Sequence, residues 1–377
     1  MPHSLASTTA RLDEVQLLRE LVQIPSVSGE EAAIAAYVEK IASQYGLPVR
    51  RDDAMVAIEL QSDKAGKGLA LVSHLDTVPV GQGWTRPPFE PTVEGDRIYG
   101  RGANDAKASC AAMIGAALDV LSAGGPASGR LLVVLGYGEE TRDTSMPRAV
   151  PRLGPLDAAI IGEPTSLDLA VAQRGLLMVD LVAHGDQCHA AYAAERGAQS
   201  SVLTLARDLV KLPTLLLDRP HPLLGQPTIT PTVLEAGVAR NVTPPVAKAV
   251  LDLRTTPSWP HDELGSVLQA QLGSQVNVTS SRLKPCETPP NSRLLAAMLS
   301  VRPFAQQFGS PTCSDWVFLR HLDAIKVGPG ISRVSHTSDE WVSIEQLTAA
   351  RRFYAAVATQ YLSPDFSTES LVFSERR

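Results

Sequence analysis

Cysteine is scarce in this chain, and what little there is excludes two classes of protein. Cys110, Cys188, Cys286 and Cys313 lie far apart, and none belongs to a Cys-x-x-Cys pair. That pattern rules against a disulfide framework and against a thiolate metal site, and it fits a reducing compartment. Long apolar runs are missing too: none approaches the roughly 20 residues of a membrane span, so no membrane partner is expected. The opening MPHSLASTTARLDEV lacks both a basic n-region and an apolar h-region, so no secretory signal is read there and a cytoplasmic protein is expected. Nor is there an excess of basic residues. The net charge of −6, with the basic residues scattered, leaves no electrostatic footprint for nucleic acid. Internal repeats and low-complexity segments are absent.

What remains is an ordinary globular composition, 44% apolar and 20% charged, over 377 residues. At about 100–200 residues per domain, that length predicts two domains. Residues 11–45 read as helix with a break at Pro25, and Ser28 with Glu31 reads as a capping box for the second part. Strands are expected at Pro48–Arg51, Met55–Leu60 and Leu69–Val72, with a turn through the polar Gln61–Gly68 stretch. Asp105 opens an alanine-rich helix through Val120, and Leu131–Leu135 and Ala158–Ile161 are apolar enough to be buried strands. From Gln173 the character changes. Strands at Leu176–Ala183, Lys248–Leu253 and Gln275–Ser280 alternate with helices at Gln199–Lys211 and His261–Leu272, as in a smaller α+β domain. After Pro285 the first style resumes, with helices at Ser292–Gln307 and about Ile344–Tyr361. The predicted division is 1–172 and 285–377 for one domain and 173–284 for the inserted one. The polar tail from Ser363 carries no interpretable signal.

The chemistry gathers at strand ends. His74 and Asp76 follow the Leu69 run two residues apart, so in extended chain they face one side together. An imidazole beside a carboxylate is the pattern of a metal ligand and the partner that fixes its tautomer, although such a pair is also common on surfaces. Glu139 and Glu140 follow the next apolar run and Glu163 the one after. Alone, each reads equally well as a solvated turn, and Asp105 as an ordinary N-cap. Together they place several carboxylates at the carboxyl ends of strands, where open α/β sheets form their sites. Packed like charges need a cation, and imidazole with carboxylate suits zinc, with cobalt or manganese as alternatives.

In order along the chain, SHLDTVP, GRGANDAK, GEE, GEPT and SHTSDEW resemble the M20 family of metallopeptidases and deacylases over roughly residues 11–361. The resemblance implies a mixed-sheet α/β catalytic domain carrying an inserted ferredoxin-like lid and dimerisation domain. It implies two divalent metal ions. His74 and Glu163 would hold the first, Glu140 and His336 the second, and Asp105 would bridge them. Asp76 would orient His74, and Glu139 would be the general base. A cis peptide bond after Asp105 is implied as well. In the inserted domain, His189 matches a histidine that reaches the substrate carbonyl across a dimer, although the usual following serine is Ala190 here. Otherwise His189 is a strand-end surface residue. Asn241 and Arg254 match substrate-binding positions, Arg254 being open to the alternative of a strand-edge ion pair. Gly328 in the turn Val327–Gly330 is the remaining candidate for substrate contact. Ala108 stands where relatives often have glycine.

Within the family, GEPTSLDLAVAQRG, Gly309–Asp315 and VGPG before SHTSDEW look closest to acetylornithine deacetylases. That implies hydrolysis of N-acetyl-L-ornithine to ornithine and acetate, in arginine biosynthesis, by a homodimer. Related expectations are an N-acetyl-lysine or N-acetyl-citrulline deacetylase, a succinyl-diaminopimelate desuccinylase or a small carboxypeptidase. The alternative of another class is a non-catalytic binding protein on the same fold, against which the intact Glu139 argues.

Overall fold

The computed structural model describes residues 12–141 and 143–367. The reading of the N-terminal segment therefore lies outside the described residues, as does most of the polar tail. Chain contacts divide the protein into two compact units. The first comprises the described parts of Met1–Val171, Thr288–Gln307 and Ser314–Arg377, and the second Ala172–Glu287 with Phe308–Cys313. Among the described residues no helix is long and apolar enough to cross a membrane.

The first unit is built on a mixed sheet with the order Val49–Arg51, Met55–Gln61, Arg130–Gly136, Gly68–His74, Ala158–Ile161, Asp323–Lys326, Leu169–Gln173. Its middle is parallel: Gly68–His74 pairs with Arg130–Gly136 and with Ala158–Ile161, which pairs in turn with Asp323–Lys326. Every residue of Gly68–His74 is buried, which is why the sequence shows an unbroken apolar run there rather than alternation. Lys107–Ser122 is the central helix, buried at most of its positions. It packs on the sheet and against helices Glu14–Gln23 and Ile344–Tyr361, an approach its many alanines permit. Arg351 of the last helix is buried between Glu14 and Asp119, pairing with each.

Several local expectations are corrected. Ser28 and Glu31 form no capping box, because the helix Ala32–Gln44 has no side-chain cap. The Ser28 hydroxyl donates instead to Asp76 at 2.7 Å, and Glu31 accepts from the Gly138 N–H at 3.1 Å. Asp105 is likewise not an N-cap; the helix begins at Lys107 after Ala106, and the Asp105–Ala106 peptide is cis, as the resemblance implies. The helix expected at Ser292–Gln307 is Arg293–Val301. Pro303 disfavours helical backbone at Arg302, and Gln307–Ser310 is a strand.

The second unit is an antiparallel sheet ordered Thr228–Ala236, Val246–Thr255, Gly175–His184, Gln275–Leu283. Helix Ser201–Lys211 follows the first of its strands in the chain, and His261–Gln271 precedes the last, giving the β-α-β-β-α-β succession of a ferredoxin-like fold. Burial alternates along Gly175–His184, so one face carries the core of Leu177, Val179, Leu181, Leu251, Leu253 and Leu264. The edge strand Thr228–Ala236 escapes the sequence reading. It is exposed at nearly every position and interrupted by Pro231, where the register shifts, and proline is tolerated only at such an edge.

Candidate dinuclear metal centre

The parallel middle of the sheet explains why distant residues meet. His74 is the last residue of its strand, Glu139 follows its neighbour Arg130–Gly136 by three residues, and Glu163 follows Ala158–Ile161 by two. Because these strands run in the same direction, all three side chains leave from one edge of the sheet. Asp105 arrives on the turn before the central helix, and His336 on a loop in the C-terminal segment. Gly138 makes the first of these turns possible. It sits at φ 69°, where a side chain is disfavoured, and an added Cβ would lie 3.0 Å from the Asp143 carbonyl oxygen.

Asp105 lies between the two histidines. Its Oδ1 is 3.3 Å from His74 Nε2 and its Oδ2 is 3.6 Å from His336 Nε2. Glu163 Oε1 lies 3.8 Å from His74 Nε2, and Glu140 Oε1 lies 2.9 Å from His336 Nε2. Five candidate ligands thus fall into two adjoining groups that share Asp105. Glu139 is close as well: ligand atoms of His74, Glu139 and Glu163 lie within 4.8 Å of one another, as do those of His74, Asp105 and Glu140. Proximity alone does not separate Glu139 from the ligands.

Behind His74 stands Asp76, fully buried. His74 Nδ1 is 3.1 Å from the Asp76 carbonyl oxygen and 3.4 Å from its Oδ1. The Asp76 carboxylate also accepts from the N–H groups of Glu139 and Glu140 at 3.0 and 3.1 Å. One carboxylate therefore fixes both the imidazole and the Glu139–Glu140 turn. Burial opposes its charge, but His74, Ser28 and the Glu140 N–H outweigh that and bring its pKa to about 2.

The donor set suits divalent cations. His74 Nε2 is buried and makes no hydrogen bond, which leaves a nitrogen lone pair or proton aimed into a cluster of carboxylates. Burial and the neighbouring Glu163 push Glu139 well above the carboxylate range, and burial with Asp105 pushes Glu163 to about 8. His74 is held well above its ordinary value: burial lowers it, but Asp105 and Asp76 win. Carboxylates this close cannot all ionise without positive charge among them, and nitrogen with oxygen ligands is a set that zinc, cobalt and manganese accept.

The structure adds residues that sequence reasoning missed. Asp315 is buried, accepts from Thr144 Oγ1 at 3.0 Å, and is raised to about 7 by burial despite the nearby His74. Ser28 looked like a cap, and Glu340 was hidden beside His336. Gly328, expected as a substrate contact, has a close-packed place beside the Glu163 loop. Its N–H donates to Thr165 Oγ1 at 3.1 Å, and its carbonyl accepts from the N–H groups of Thr165 and Leu167, so both polar groups are already committed. A Cβ there would lie 2.6 Å from the Glu163 carbonyl oxygen, so this glycine lets the Glu163 loop close down.

The remaining candidates belong to the second unit. Asn241 and His189 share one loop cluster: the Ala190 N–H donates to the Asn241 carbonyl at 2.8 Å, and His189 bridges to Val242. His189 is exposed, and its Nδ1 accepts from the Ala191 N–H at 3.2 Å. Arg254 makes a two-point pair with Asp252 on its own strand, at 2.9 and 3.1 Å.

Comparison with known proteins agrees with this geometry. The model of "Peptidase family M20/M25/M40" matches residues 70–360. A Peptidase M20 domain-containing protein of Schizosaccharomyces pombe is 30% identical over 348 residues, 88% of this chain and 81% of that protein. A succinyl-diaminopimelate desuccinylase of Phenylobacterium zucineum is 28% identical, with 94% of this chain and all (100%) of that protein covered. Neither relative is an acetylornithine deacetylase, so the finer placement expected from the motifs is not supported by them. A dinuclear metal-binding M20 peptidase of Bacillus subtilis superposes with a TM-score of 0.72 at 16% identity, covering 93% of this chain and 97% of that one. The chain belongs to the M20 family of metal-dependent hydrolases.

Proposed function

We propose that the protein hydrolyses the amide bond of an N-acyl diamino acid. The observation that carries this reading is Glu139, a partly buried carboxylate on the same turn as the ligand candidate Glu140 and within 4.8 Å of His74 and Glu163, where it can reach a water held between the two ligand groups. When bound between these residues, two divalent ions, zinc first and cobalt or manganese as alternatives, supply a Lewis acid for the carbonyl and activation of a water. Glu139 takes a proton from the attacking water as the new C–O bond forms. It then delivers that proton to the nitrogen as the C–N bond breaks, releasing the acid and the free amine. Asp76 keeps the His74 ring turned and the Glu139 turn in place through the hydrogen bonds described above.

Two substrates stand within this class. The motif resemblance favours N-acetyl-L-ornithine, as in arginine biosynthesis, and the name of the Phenylobacterium relative favours N-succinyl-diaminopimelate. A panel of N-acetyl and N-succinyl derivatives of ornithine, lysine, citrulline and diaminopimelate, run beside dipeptides, decides between them. We expect kcat/KM for one acylated diamino acid to exceed every dipeptide by at least about tenfold, the scale of one lost polar contact. A dipeptide at the top of the panel overturns the reading in favour of a peptidase. The four free cysteines support the cytoplasm as the place of action.

We further propose a homodimer formed through the second unit, with His189 serving the site of the partner. Support comes from that unit's surface: the edge strand Thr228–Ala236 is unpaired on one side, and Leu234 and Val238 nearby are 64% and 87% exposed. His189 would stabilise charge developing on the substrate carbonyl oxygen, a role worth about 3–4 kcal/mol. Mixing inactive Glu139→Gln with inactive His189→Ala checks it. If His189 acts across the dimer, exchange creates one intact site per heterodimer and activity returns. If it acts within its own chain, every site stays broken.

A further inference from the structure

The stretches between Gly100 and Asp105 and between Ile331 and Glu340 hold two members of the second ligand group, Asp105 and His336, which Glu140 completes from elsewhere. The two stretches are stitched together more thoroughly than their sequence suggests. Strand Arg97–Tyr99 pairs with Trp341–Ser343, and where that pairing ends the Gly100 N–H donates to the Glu340 carbonyl at 2.8 Å. From there the Glu340 side chain takes over. It is 1% exposed, and its Oε1 accepts from the N–H groups of Asn104 and Asp105, at 2.9 and 3.0 Å. Its Oε2 accepts from Arg101 Nη1 at 2.6 Å, and Arg101, 2% exposed, reaches on to the Val80 carbonyl at 3.1 Å. At the other end of the loop the Asn104 amide closes a second set of bonds. It donates to the Ile331 carbonyl at 3.2 Å and to Ser335 Oγ at 3.0 Å, and accepts from the Ile331 N–H at 2.8 Å. Ser335, which accepts from the Asn104 amide, is the residue immediately before His336.

We propose that Glu340 and Asn104, with Arg101, form a two-ended clamp that positions Asp105 and His336 for the second metal ion and sets the affinity of that position. Neither clamp residue points a free atom at the site; both act through the ligands they hold. The first position leans on His74 and Glu163, which are fixed by strand ends of the sheet and by Asp76, so it depends on the clamp only through Asp105. Burying a charged pair is costly, and a pair placed where it orders the backbone on either side of a shared ligand has a role that packing alone would not require. The chemistry of Glu340 is specific as well. A carboxylate accepts at both oxygens, and here both face donors. In Glu340→Gln one end of the amide must turn a donor toward a donor, so the clamp opens at one side without any change of volume.

This inference rests on the two-metal reading above, and the experiment separates the two. Metal-free wild type, Glu340→Gln and Asn104→Ala are titrated with zinc by calorimetry, with circular dichroism on the same preparations to record the fold. Wild type is expected to take up two equivalents. In each variant the tighter equivalent is expected to stay within about threefold of wild type, while the weaker one loses about 10–100-fold, the usual scale for removing a group that orients a ligand. If Glu340→Gln yields no folded protein, Asn104→Ala decides, since it leaves the buried charge pair intact. Two unchanged equivalents in the folded variants overturn the clamp alone, and so does an equal loss at both positions. Fewer than two equivalents in the wild type overturns the two-metal reading, and the clamp falls with it.

Discussion

Glu139→Gln is expected to lower kcat by at least about 10²-fold while KM and metal content stay near wild type, the pattern left by a lost general base. The substitution keeps the shape of the side chain, and the backbone N–H of residue 139 can still donate to Asp76. What it removes is the ability to accept a proton from water and return it to the leaving nitrogen. Steady-state kinetics paired with elemental analysis make the check. A variant with full metal loading and wild-type kcat would assign the proton transfer elsewhere, and one with lost metal would make Glu139 a ligand. The second outcome has a concrete basis, because Glu139 already stands within 4.8 Å of His74 and Glu163.

Removing metal should have the largest effect of all. Treatment with a chelator is expected to bring hydrolysis to background, and adding zinc or cobalt to restore it. His336→Ala should contain less metal per chain than wild type, because His336 stands 2.9 Å from Glu140 Oε1 and 3.6 Å from Asp105 Oδ2 and offers the second ligand group its exposed imidazole. His336 is half exposed where His74 is buried. A metal-free protein of undiminished activity would refute the mechanism together with the ligand assignments.

Much of this was readable in the sequence, for a physical reason. Parallel strands buried on both faces must be continuous apolar runs, and such runs announce where they end. His74, Glu139 and Glu163 were therefore visible as strand-end residues before any coordinates. The parts that stayed hidden depend on tertiary partners. Ser28 and Glu31 have the spacing of a capping box, and nothing local reveals that Asp76 and Gly138 compete for them successfully. Asp315 sits after a proline-containing loop with no periodic signal, and only burial beside Thr144 marks it out. The exposed edge strand Thr228–Ala236 has neither alternation nor an apolar run to give it away.

The order of segments in the sheet of the first unit bears on how the protein is made. Strand Ala158–Ile161 pairs on one side with Gly68–His74 and on the other with Asp323–Lys326, and the second partner lies more than 150 residues further along the chain. During synthesis, residues up to Val171 can assemble most of the sheet, but they do so with an apolar inner strand left open along one side. At about 5–20 residues per second, that side waits on the order of ten seconds or more for its partner to be translated. His336 comes later still, so a nascent chain can hold the first ligand group well before it has the second. A ribosome-bound fragment ending near residue 300 should therefore associate with itself or with chaperones, and should lose that tendency once residues 314–361 have emerged.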